Sequence, residues 1–129
     1  KPATAAARWN AETNRTHNIE LARLSPEDMT AAMAGERTYR RLAELKQPLA
    51  HYQFDHLLVD PPRAGLDAAT LSLASTFKRV LYISCNPETL VDNLATLSAT
   101  HNIESLAFFD QFPYTHHLES GVVLSKKTA

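Results

Sequence analysis

Residues 79–100 read RVLYISCNPETLVDNLATLSAT, and two hydrophobic periods meet inside them. Arg79 to Ser84 is a short continuous apolar run, the pattern of a strand buried within a sheet. From Pro87 the period changes. Leu90, Leu94 and Leu97 recur at i, i+4 and i+7, which predicts a helix over 87–100. Asn86 suits the N-cap and Pro87 the first helical position. At the junction stands Cys85, the one cysteine in 129 residues.

Working outward, Phe54 to Val59 (FDHLLV) predicts a second buried strand, cut off by Pro61 and Pro62. Asp67 opens a helix from Ala68 to Phe77, with Leu71 and Ala74 on its apolar side. Ile103 to Phe109 (IESLAFF) and Gly121 to Ser125 (GVVLS) predict two last strands with no helix between them, so that pair can run antiparallel. Strands alternating with helices predict an α/β fold, a mostly parallel sheet with helices on both faces.

Residues 1–53 read less regularly. Good helix formers over 2–15 predict a helix, and Asn18 to Leu24 (NIELARL) alternates as a strand would. Ser25-Pro26-Glu27-Asp28 is a helix start, Met29, Ala32 and Met33 face inward, and Gly35 ends the helix. Residues 36–53 are polar and irregular, with local positive charge from Arg37, Arg40, Arg41 and Lys46.

Composition bounds the class. A hydrophobic content of 44%, a charged content of 21% and a net charge of −1 are those of a single globular domain. They exclude a whole-chain basic footprint for nucleic acid, though not a local one. One cysteine makes no internal disulfide, no apolar run nears the roughly 18 residues that span a bilayer, and no secretory signal is present. The expected location is the cytoplasm, and the opening on Lys rather than Met reads as part of a longer protein.

In open α/β sheets, ligands bind beyond the carboxyl ends of the strands. Three loops there carry chemistry: Asp60-Pro-Pro-Arg63, Ser84-Cys-Asn86 and Asp110 to Glu119 (DQFPYTHHLE). A helix N-terminus beside Cys85 favours the thiolate, a soft nucleophile. The same placement suits a small buried hydrophobe equally well. Asp60, stiffened by two prolines, reads as a ligand acceptor or as a turn aspartate. Arg63 suits a phosphate or carboxylate, or a surface ion pair. Glu119 reads as a base or as a solvated carboxylate. Phe112 and Tyr114 suit stacking on a flat ligand, or packing of their own loop. Adjacent His116 and His117 are not metal-ligand spacing, so no metal is expected.

Three ordered motifs, VDPPRAGLD (59–67), LYISCNPETL (81–90) and FDQFPYTHHLESGVVL (109–124), resemble the C-terminal part of the RNA uracil-C5 methyltransferases. The wording CNPETL and DQFPYTHH resembles, within that family, the tRNA enzymes that make ribothymidine in the T-loop. The 23S rRNA enzymes are the alternative, and a non-catalytic RNA- or protein-binding module is the reading from another class. The resemblance implies a Rossmann-like class I domain that uses S-adenosylmethionine, and assigns 1–129 to the C-terminal part of its catalytic domain. It implies Cys85 as the nucleophile that adds to uracil C6, and Glu119 as the acceptor of the C5 proton. It implies Asp60 as a cofactor contact, Arg63 as an organiser of the site, and Phe112 at the substrate. The T-arm of tRNA is the implied partner, and no membrane is.

The family's first strands and Gly-rich loop have no counterpart in this chain, so the resemblance implies an incomplete cofactor site and no activity alone. The same absence leaves NIELARL without a neighbour and FDHLLV at a bare edge. That predicts dimerisation, segment swapping, or a loosely held stretch over 1–50.

Overall fold

The computed structural model describes residues 2–128. The chain forms two compact units, Lys1–Gln53 and Phe54–Ala129.

In Lys1–Gln53, helix α1 spans Pro2–Thr13 and helix α2 spans Pro26–Met33, followed by 3₁₀ turns at Arg40–Leu42 and Leu49–His51. Ser25 caps α2, its hydroxyl accepting from the Asp28 N–H at 3.1 Å. At the other end Gly35 stands at φ +73, the Gly35 N–H donates to Ala32 O, and the Glu36 N–H donates to Ala31 O. That is the paired closure a left-handed residue permits at a helix C-terminus. α1 closes in the same way through Arg15 at φ +55, without the glycine such a position favours.

The strand expected at Asn18–Leu24 is not formed. Those residues carry no helix or strand, because an extended segment becomes a strand only where another takes its N–H and C=O groups. This unit has no other strand among its described residues. The segment is held by a side chain instead. The Glu20 carboxylate accepts from the Lys46 N–H and from the Tyr52 hydroxyl, both at 2.7 Å.

Phe54–Ala129 contains strand β1 (His56–Val59), helix α3 (Ala68–Ala74), strand β2 (Arg79–Ser84), helix α4 (Pro87–Leu97), strand β3 (His101–Phe109) and strand β4 (Glu119–Lys126). The sheet order is β1-β2-β4-β3. β1 and β2 are parallel, whereas β4 runs antiparallel to both β2 and β3. The sheet is therefore mixed rather than mostly parallel. The short loop between β3 and β4 leaves no room for the crossover a parallel pair needs.

Side chains alternate across a strand, and every buried residue of β2 and β4 sits on one face: Val80, Tyr82 and Ser84 against Ser120, Val122 and Leu124. Leu71, Ala74, Leu90 and Leu97 of α3 and α4 complete that core with Phe77. The expected cover on both faces is absent within this unit, since Ile83 on the opposite face is 40% exposed. β1, expected to be buried, lies at the sheet edge with Leu58 exposed, as the bare-edge expectation required.

Candidate active site

The sheet register gathers the chemistry at one end. β1, β2 and β3 all run in one direction and β4 runs against them, so three carboxyl ends and the start of β4 share one edge. Val59 pairs with Tyr82, Ser84 with Ser120, and Phe109 with Glu119. The β2–β4 ladder closes at Ser84 and Ser120, and the next residues outward are Cys85 and Glu119. Two side chains 34 positions apart in the chain thus flank the end of one ladder.

Cys85 is a free, half-buried thiol placed between the end of β2 and the first turn of α4. The Asn86 side chain caps that helix by accepting from the Glu88 N–H at 3.2 Å. The Asn86 N–H donates to Ser84 Oγ at 3.1 Å, which fixes the chain on both sides of the thiol. Glu119 is half-buried, and its carboxylate takes no hydrogen bond or ion pair among the described residues.

Asp60 follows β1, exposed, with its carboxylate likewise unengaged among the described residues. The Arg63 side chain makes no ion pair among the described residues, while its backbone carbonyl accepts from Asn86 Nδ2 at 3.0 Å and lies 3.1 Å from Thr89 Oγ1. The β1 loop and the thiol's helix are therefore tied together.

Phe112 stands apart from this group. It lies in the β3–β4 loop, half exposed, with its ring edge-on to His117 at 6.0 Å and 73°. Thr115 closes the loop on itself: its hydroxyl donates to Phe112 O at 2.7 Å and accepts from the His117 N–H at 3.2 Å. Tyr114 is fully exposed at φ +65, a backbone conformation bulky side chains seldom adopt. No three His, Cys, Asp or Glu side chains among the described residues are grouped to hold a metal. No helix among them is long and apolar enough to cross a membrane.

Sequence reading missed Asn93, Tyr82 and Thr89. Asn93 is buried in α4, and its Oδ1 accepts from the Leu66 N–H at 2.8 Å and from the Tyr82 hydroxyl at 2.6 Å. Burial raises the Tyr82 phenol above its ordinary value, so it stays a donor at neutral pH. The signal was present in the spacing: Asn86, Thr89 and Asn93 recur at i, i+3 and i+7 beside the leucine stripe.

The thiol and the unpaired carboxylate stand at the carboxyl edge of an α/β sheet, the edge beyond which such sheets bind their ligands. The comparisons make the class specific. The family model described as tRNA (Uracil-5-)-methyltransferase matches residues 1–127, and the chain belongs to that family.

A tRNA/tmRNA (uracil-C(5))-methyltransferase of Acinetobacter baylyi is 57% identical over 124 residues, covering 96% of this chain and 34% of the relative. One from Neisseria meningitidis is 54% identical over 127 residues, covering 98% and 35%. The chain thus spans about a third of these relatives' length. The crystal structure of Pyrococcus abyssi tRNA (uracil-54, C5)-methyltransferase in complex with S-adenosyl-L-homocysteine superposes with a TM-score of 0.69. It is 28% identical, and the match covers 95% of this chain and 26% of that one. The α/β, Rossmann-like expectation is borne out by this match.

Proposed function

We propose that this chain carries the covalent-catalysis edge of an enzyme that methylates C5 of a uridine in the T-arm of tRNA. The observation that carries the reading is the placement of Cys85 and Glu119 one residue beyond the last Ser84–Ser120 pair of the β2–β4 ladder, the thiol half-buried and the carboxylate unpaired. Uracil C5 is a weak nucleophile. The Cys85 thiolate adds to C6, forming the S–C6 bond and pushing the ring electrons into an enolate. C5 would then take the methyl group of a sulfonium donor, whose S–CH3 bond would break with its electron pair staying on the departing thioether sulfur, leaving C5 tetrahedral. Glu119 accepts the C5 proton, the C5–C6 double bond reforms, and the S–C6 electrons return to sulfur. The nucleophile and the base each act once, and both end as they began after Glu119 releases its proton.

S-adenosylmethionine, bound, supplies the methyl group. The unengaged Asp60 carboxylate at the end of β1 suits one of its amine or hydroxyl groups, and Arg63 shapes the adjoining loop. Phe112, half exposed in the β3–β4 loop, offers a face on which a base can stack. The similarity to tRNA/tmRNA (uracil-C(5))-methyltransferases supports the choice of RNA.

The test uses T-arm RNA with 5-fluorouridine at the target position, because fluorine at C5 cannot leave as a proton. With S-adenosylmethionine, the full-length gene product is expected to form a complex that survives denaturing gel electrophoresis, and Cys85→Ala to form none. Trapping on 23S rRNA fragments instead would move the substrate, and trapping on no RNA would overturn the covalent mechanism.

A further inference from the structure

The loop from Asp60 to Leu66 carries two residues of the proposed site, yet its own backbone supplies little order. One turn bond, from the Gly65 N–H to Pro62 O at 2.9 Å, is internal to it. The remaining order comes from one face of α4. Asn86 Nδ2 donates to Arg63 O at 3.0 Å, and the Thr89 hydroxyl lies 3.1 Å from both Arg63 O and Asn86 O, sharing its single proton between them. One helical turn further on, Asn93 pairs with both backbone groups of Leu66, accepting from the N–H at 2.8 Å and donating to the C=O at 3.3 Å. It does for Leu66 what a neighbouring strand would do. Tyr82, reaching from β2, fixes the Asn93 amide through its hydroxyl.

The surfaces also fit sterically. Gly65 lies against the clamp at φ +76, and a Cβ there would sit 2.7 Å from Asn93 Oδ1 and 3.3 Å from Thr89 Cβ. The loop is thus seated so closely on α4 that a side chain at position 65 would have to displace Asn93 Oδ1.

α4 begins at the residue pair Asn86-Pro87, directly after Cys85. The same rigid helix that holds the thiol's strand end therefore grips the loop bearing Asp60 and Arg63. We propose that Thr89 and Asn93 are positioning residues for methyl transfer: they set the Asp60–Arg63 loop in register with Cys85 through the backbone of Arg63 and Leu66, touching neither substrate nor cofactor. This rests on the functional reading above. A loop carbonyl released from the clamp leaves the fold standing but moves the site's acceptor and its guanidinium relative to the thiol. Misplacement of that kind costs rate rather than binding of a large RNA surface.

The test measures single-turnover methyl transfer to T-arm RNA by the full-length gene product, at saturating RNA and S-adenosylmethionine, alongside RNA Kd and Tm. Thr89→Val keeps the shape and removes the hydroxyl, whereas Thr89→Ser keeps the hydroxyl. Asn93→Leu strands three polar groups and risks unfolding, so the Thr89 pair decides. Thr89→Val is expected to transfer about tenfold more slowly with RNA Kd unchanged, and Thr89→Ser to recover the parent rate. An unchanged rate in Thr89→Val would overturn the proposal while leaving the functional reading intact. So would an equal fall in Thr89→Val and Thr89→Ser that tracks Tm, since that marks a structural tie alone. A parent protein that transfers no methyl group would overturn the functional reading and this one with it.

Discussion

Lys1–Gln53 and Phe54–Ala129 are held together by different means. The second unit has a dry core in which Val80, Tyr82, Leu97 and Leu124 are almost wholly excluded from water. In the first, no described residue is buried. Its apolar side chains line open grooves instead: Trp9 and Leu21 share one with Arg8, Arg23 and Arg41, and Trp9 is 65% exposed. Order comes there from polar ties such as Glu20 to Lys46 and Tyr52, and Arg8 to Glu44 at 3.2 Å. A buried leucine contributes about 2 kcal/mol, whereas an exposed ion pair contributes about 0–1 kcal/mol. The residues of the proposed site all belong to the unit with the core.

The strongest way to break that contrast is to hollow each unit in turn. Leu97→Ala is expected to cost about 3 kcal/mol of stability, read from denaturant unfolding of the β2–β4 ladder, while Leu21→Ala is expected to cost under about 1 kcal/mol. Equal losses would show that the first unit has a core of its own. Next in size, Gly65→Ala is expected to cost about 2 kcal/mol, from positive φ and from the contact with Asn93 Oδ1. A neutral Gly65→Ala would mean that the loop is not seated on α4 as described.

Smaller effects sharpen the account of Lys1–Gln53. Arg15→Gly relieves the left-handed residue after α1 and is expected to stabilise that helix end by about 0.5–1 kcal/mol, seen as slower amide exchange at Thr16. Acid tests the polar ties. The Lys46 N–H, followed by the Tyr52 hydroxyl, holds the Glu20 carboxyl below its ordinary 4.5. A group lowered on folding contributes above its unfolded value and loses that contribution as pH falls through the folded one. The Lys46 amide resonance is therefore expected to move on acidification below pH 4.5, ahead of the β2–β4 ladder amides. Simultaneous movement would mean that one cooperative unit, not two, is unfolding.

Much of the second unit was legible because its signals are local. The Asn86-Pro87 cap, the Asp67 cap and the leucine period of α4 each lie within a few residues of what they specify. NIELARL failed for the opposite reason, because alternation specifies a strand only where a partner is present. Cys85 and Glu119 were proposed through motif wording; their place at the same end of one ladder comes from the antiparallel register of β2 and β4, which no local pattern encodes. Asn93 escaped because its partners, the Leu66 backbone 27 positions away and the Tyr82 hydroxyl 11 away, are remote in the chain, and a polar residue on a helix ordinarily reads as solvated.

The central claim is the division of labour between Cys85 and Glu119, and the mass of the intact protein after mixing with T-arm RNA and S-adenosylmethionine tests it most directly. With ordinary uridine the parent is expected to turn over and leave no adduct. Glu119→Gln cannot accept the C5 proton, so it is expected to accumulate a covalent protein–RNA species that maps to Cys85 and disappears when Cys85→Ala is added. A Glu119→Gln protein that turns over at the parent rate without an adduct, or one whose adduct survives Cys85→Ala, would contradict the account.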